Sequence, residues 1–149
     1  MPPSSDNSAT LVRRRVFRAS RRRVFRAWVE PEALVSWFRP GGMGVTVHKM
    51  DVRTGGSFHF ALENGGSIFG TYLLVAPPEK LVFTWSGDAA GGRETIVTLD
   101  FLDQGSMTEI VLTHEGLSDP ALRTFFDSGW RPLLEALAEA LSTDDAPRS

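Results

Sequence analysis

Three histidines, one tyrosine and no cysteine are what this chain offers for acid–base or nucleophilic chemistry. His48, His59 and His114 form no HxH or HxxxH pair, so metal-ligand spacing is absent and no metal is expected. Without cysteine there is no thiolate nucleophile, disulfide or sulfur ligand. His114 follows Ile110 and Leu112 at every second position and shares their apolar face. There it could polarise a ligand carbonyl, or be a core histidine satisfied by a neighbour. His59, between Phe58 and Phe60, should point the other way, towards solvent. Tyr72 could donate to a buried ligand or reach solvent from a packed ring. Asp51 and Arg53 suit an ion pair or turn anchor better than a catalytic dyad. Glu63, Glu94, Glu109 and Glu115 offer no pair spaced as general acid and base. No phosphate-binding glycine loop or nucleophile elbow is present. The residues therefore name no catalytic group and imply no cofactor.

The aromatic residues say more. Trp37, Phe38, Phe58, Phe60, Phe69, Phe83, Trp85, Phe126 and Trp130 are more rings than a small core needs, although most should simply pack. An apolar pocket is expected, lined by Phe58, Phe60, Tyr72, Trp85, His114 and Trp130. Trp37 and Phe38 would stand at its mouth, because they end a short helix just before Pro40-Gly41-Gly42. Gly41, Gly42 and Gly44 give that loop the freedom of a lid.

These residues must be placed by the elements around them. Leu11–Ala19 mixes Leu11, Val12, Val16 and Phe17 with arginines and reads as an edge strand. Ser20 can cap a helix over Arg21–Val29, where Val24, Phe25, Trp28 and Val29 recur at helical spacing. Glu30-Pro31 ends it, and Pro31 can open a second short helix running to Trp37-Phe38. From Val45 the period is two. Strands are expected over Val45–Val52, Ser57–Leu62, Ser67–Val75, Lys80–Ser86, Glu94–Leu102 and Met107–Glu115. Glycine and proline turns separate them, with a flexible loop over Gly87–Gly92. Ser118 or Asp119 can then cap a long helix reaching Leu141, with Leu122, Phe126, Trp130, Leu133, Leu137 and Leu141 as its apolar stripe. Pro132 should kink it near Ser128-Gly129. This order predicts one α+β domain over residues 11–141, an antiparallel sheet with helices on one face. A disordered tail (1–10) would precede it and a flexible tail (142–149) follow it.

Charge narrows the partners. The formal net charge is −2, yet eight of the 16 basic residues lie in Arg13–Arg26. That block could meet an acidic partner, but a solvated strand-and-helix edge is the simpler reading. Only Phe17 and Phe25 interleave it, both at apolar-face positions, so nucleic-acid binding is not expected. The apolar runs are too short for membrane insertion. Met1–Thr10 lacks the pattern of a signal peptide, which makes a cytoplasmic protein the expectation. A homodimer is compatible with all of this.

A resemblance runs from about Val12 to Leu141. Val24-Phe25-Arg26-Ala27-Trp28-Val29-Glu30-Pro31-Glu32, followed by Trp37-Phe38-Arg39-Pro40, resembles the opening of proteins similar to the activator of the heat-shock-protein-ninety ATPase. Asp51-Val52-Arg53-Thr54-Gly55-Gly56-Ser57-Phe58 is similar to that family's next block. Pro77-Pro78-Glu79-Lys80-Leu81-Val82-Phe83-Thr84-Trp85, Leu112-Thr113-His114-Glu115-Gly116 and Gly129-Trp130 fit its later strands and last helix. The resemblance implies the helix-grip fold of the START-related superfamily, SRPBCC, in which a curved antiparallel sheet wraps a long C-terminal helix. It implies a hydrophobic small molecule, lipid-like or polycyclic, held between the two. It also admits a cyclase- or hydrolase-like enzyme with His114 or Tyr72 as proton donor, or a chaperone partner. The eukaryotic co-chaperone has a further N-terminal domain that these residues do not supply, so a small-molecule ligand is expected before a chaperone.

Overall fold

Alternate apolar residues along the strands after Gly44 face one side of a single seven-stranded sheet in the computed structural model, which describes residues 10–87 and 94–144. Residues 1–9 of the tail expected over 1–10, all of the loop expected over Gly87–Gly92 except Gly87, which ends a strand, and the last five residues of the chain lie outside the described residues. The strands are β1 (Leu11–Phe17), β2 (Val45–Met50), β3 (Ser57–Leu62), β4 (Ser67–Ala76), β5 (Lys80–Gly87), β6 (Thr95–Gln104) and β7 (Met107–Glu115). The helices are α1 (Arg21–Val29), α2 (Pro31–Trp37) and α3 (Pro120–Asp144), with a short 3-10 turn at Pro40–Gly42.

All neighbouring strands pair antiparallel, in the order β1-β7-β6-β5-β4-β3-β2. β1 and β2 are therefore the two edges, and α1 and α2 carry the chain from one to the other. The register slips between Val47 and Lys49 and again between Tyr72 and Leu74. Such bulges bend a strand and add twist, curving the sheet towards its helices. This is the expected α+β helix-grip architecture.

Local chemistry explains the element ends. The Ser20 side chain accepts from Arg23 N and caps α1. Pro31, whose lost N–H costs nothing at the first helical position, opens α2. The Asp119 carboxylate accepts from Ala121 N at 2.9 Å at the start of α3. Within α3 the buried stripe is Leu122, Phe126, Trp130, Leu133, Leu137 and Leu141, joined by Leu134. The helix runs on through Pro132 and past Leu141 to Asp144. Buried side chains on both sides of Pro132 offset the hydrogen bond it removes.

The basic stretch has a structural use. On the inner face of β1, Leu11 and Phe17 are buried, while Arg13 and Arg15 between them reach across to α3. Arg13 pairs with Asp127, and Arg15 meets Glu135 at 3.0 Å through two nitrogens. Arg14 meets Glu109 and Arg26 meets Glu30. One expected core ring lies outside: Phe69 is 46% exposed, because Ile68 and Tyr72 take the inner positions of β4 and leave Phe69 on the opposite face.

Gly70 lies between those inner positions. A β-carbon there would stand 2.0 Å from the Thr84 carbonyl oxygen and 2.8 Å from Phe58 Cζ. Gly70→Ala must therefore push strand from strand or displace the Phe58 ring. A loss of about 3 kcal/mol, the upper range for overpacking, is expected in urea denaturation; an unchanged midpoint would contradict this packing.

Candidate ligand-binding groove

The rings between sheet and helix form one continuous cluster. Phe58 stacks on Phe60 at 4.9 Å between centroids, and Phe38 meets both Phe60 and Trp85 edge-on. Trp28 packs edge-on against Trp37 at 4.7 Å, and Trp85 against Trp130 at 5.4 Å. Each geometry is one that ring quadrupoles favour. All four tryptophans of the chain belong to this cluster.

Five of the eight residues expected at a pocket, Phe38, Phe58, Phe60, Tyr72 and Trp85, do line one internal chamber. It holds only about 30 Å³, room for about two waters. The rings that suggested a cavity largely fill it. Trp37 and Phe38 are 1% and 3% exposed, so they stand behind the mouth and not at its rim. Trp37 is pinned there by its indole N–H, which donates to the Ala27 carbonyl at 3.0 Å. Its burial packs α2 onto α1, a structural task.

A ligand-sized space is next door. A groove of about 530 Å³ runs between the Pro40-Gly41 turn and the N-terminal half of α3, within the range of small-molecule sites. Its floor is Trp85 and Trp130. Phe125, 54% exposed, stands on its wall, and Ser128, Gly129 and Pro132 follow along the same helix. No charged residue lines it among the described residues. Trp85 also lines the internal chamber and so separates the two spaces. Past Pro132 a second hollow continues beside Gly41 and Leu133 to Arg39 and Glu139. Of the residues expected to line the pocket or form its lid, the groove gathers Trp85, Trp130 and Gly41. Phe125, Ser128, Gly129 and Pro132 were not anticipated as lining. Their signal is present: they recur at i, i+3, i+4 and i+7, a second helical face away from the leucine stripe.

His114 touches neither space. It is fully buried and both ring nitrogens are committed. An indole N–H can only donate, so Trp130 Nε1, 3.1 Å away, makes His114 Nδ1 the acceptor. The proton is then on Nε2, which donates to Thr95 Oγ1 at 2.8 Å. The Thr95 hydroxyl in turn donates a hydrogen bond to the Trp85 carbonyl at 3.0 Å. Every group in this chain is satisfied, and no second proton fits on the imidazole without expelling Trp130. Burial pushes the His114 pKa down to about 4. Burial, and then the charge of Asp51, raise that of Tyr72. Neither residue is poised to deliver a proton. Asp51 pairs with Arg53 at 2.9 Å, the ion pair expected. No cluster of His, Asp and Glu suited to a metal forms among the described residues. No helix there is long and apolar enough to cross a membrane.

Comparison with known proteins agrees with this fold. The model of a family described as activator of Hsp90 ATPase homolog 1-like protein matches residues 18–142. The crystal structure of protein CV1439 from Chromobacterium violaceum is similar at TM-score 0.78 and 29% identity, over 88% of this chain and 95% of that one. CalU16 from Micromonospora echinospora is similar at TM-score 0.70 and 24% identity, over 91% and 77%. DynU16, from the dynemicin biosynthetic locus, reaches TM-score 0.77 at 20% identity, over 91% of this chain and 48% of its own. No curated protein matches the chain.

The buried imidazole sets a pH dependence. His114 binds a proton less readily folded, with a pKa of about 4, than unfolded, at the ordinary value of 6.5. Its contribution to stability is complete above pH 6.5 and is lost as the pH falls towards 4. That difference is worth about 3 kcal/mol. Urea denaturation at pH 7 and pH 4 should show that His114→Gln, though less stable at pH 7, loses about that much less than the parent between the two. Equal losses would remove His114 as the titrating group.

Proposed function

The chain belongs to the family of activator of Hsp90 ATPase homolog 1-like proteins, and from that premise we propose that it is a binding protein for an apolar, ring-bearing small molecule. The observation that carries this is the uncharged groove of about 530 Å³ floored by Trp85 and Trp130. A ligand there exchanges water for aromatic surface at roughly 25 cal/mol per Å² and meets no charge that it must desolvate. The internal chamber, at about 30 Å³, is too small to be its seat. An enzymatic reading has less support, since His114 has neither ring nitrogen free and is shut off from the groove. The arginine surface that an acidic partner would need is partly spent: Arg13, Arg14, Arg15 and Arg26 pair with carboxylates of this chain.

Gly129 supplies a clean test. A β-carbon at Gly129 would meet nothing from outside its own stretch of helix within 4 Å, because the groove is there. Gly129→Leu should fill the groove while raising helix propensity by about 0.8 kcal/mol, enough to raise Tm by roughly 3 °C. The neutral probe N-phenyl-1-naphthylamine should bind the parent saturably and quench its tryptophan fluorescence. The variant should melt higher and leave the probe free. Equal binding by both proteins, or none by the parent, defeats the proposal.

A further inference from the structure

Pro132 sits inside α3 and has no N–H, so the carbonyl of Ser128, four residues earlier, has lost its α-helical donor. Residues four apart lie one above the other on the same helical face. Ser128 and Pro132 are both exposed, and both line the groove. Gly129, beside them, has no side chain, and nothing from outside its own stretch of helix lies within 4 Å of where its β-carbon would stand. A backbone acceptor without its α-helical donor therefore lies on a largely apolar, aromatic wall, whose other polar side chains are the uncharged Thr124 and Ser128.

The surroundings narrow what can meet it. No charged residue lines the groove among the described residues, so an ammonium donor would be desolvated without a counter-charge. A neutral hydroxyl would replace its water partner with the carbonyl at little cost. Phe125 and Trp130 offer rings to a flat body. The adjoining hollow, with Arg39 and Glu139 of opposite sign, selects no single class.

We infer that the groove's ligand is an uncharged ring compound bearing a hydroxyl group, which donates to the Ser128 carbonyl that Pro132 leaves open. This rests on the reading of the groove as the binding site and adds the polar group that orients the ligand in it. Proline, a poor residue for a helix interior, here acts as a specificity determinant by withholding a donor.

The test pairs two probes with two proteins. 2-Naphthol and 2-methoxynaphthalene share the ring system, but only the first can donate. The parent should bind 2-naphthol up to about tenfold more tightly, the span of one hydrogen bond. Pro132→Ala restores the N–H and repairs the helix, so it should fold with a higher Tm. In it the preference should fall to about one or reverse. In protein labelled with carbon-13 at its carbonyls, the Ser128 resonance should move with 2-naphthol and not with its methyl ether, and in the parent only. A preference that survives unchanged in Pro132→Ala, or is missing from the parent, overturns the inference. If both probes bind the parent equally, the groove stands as the site and only the hydroxyl contact falls. If neither binds, both fall together.

Discussion

Apolar packing is without direction, and a stripe of leucines can slide along a sheet at modest cost. The bond from the Trp130 indole to the His114 imidazole cannot slide. It joins one residue of α3 to one residue of β7, and the line continues through Thr95 of β6 to the backbone of Trp85 on β5. Four elements are thus tied at one buried point. In a low-dielectric interior such a chain strengthens itself when complete and penalises the loss of any member. The groove depends on it, because Trp85 and Trp130 are both its floor and members of the chain.

The aromatic cluster takes its meaning from that anchor. A roomy chamber would need some of these rings to stand apart. Instead they meet at favourable angles and leave only a sliver of space. The rings serve as a stiff floor, and a space large enough for a ligand lies on the far side of that floor, between α3 and the Pro40–Gly42 turn. Arg13 and Arg15 hold α3 to the β1 edge from the other direction.

Much of this was legible in the sequence, and the parts that were not share a cause. Strand periodicity, the Ser20 cap, Pro31 at a helix start and the glycine turns are local signals, and each element formed where they indicated. The inward position of His114 followed from Ile110 and Leu112. What periodicity cannot give is how much space remains once side chains from different elements meet. Phe58 and Phe60 could be assigned a face but not a neighbour, so a filled chamber and an open one looked alike. Trp37 and Phe38 beside a glycine loop suggested a rim, although Trp37 had a carbonyl waiting ten residues back. The groove face of α3 was overlooked because Gly129 and Pro132 read as flaws in a helix and not as lining.

Those two residues also decide where the helix is weakest. Helices ordinarily fray from their ends. Here the first turn is fastened by Asp119, and Leu137 and Leu141 are buried near the last. The poorest helix formers lie midway, where the backbone bond from residue 132 to the Ser128 carbonyl is missing. Local opening costs least where backbone bonds are fewest and most exposed. In amide hydrogen exchange α3 would then separate into two protected rods with a fast-exchanging joint between them, and that joint forms the wall of the groove.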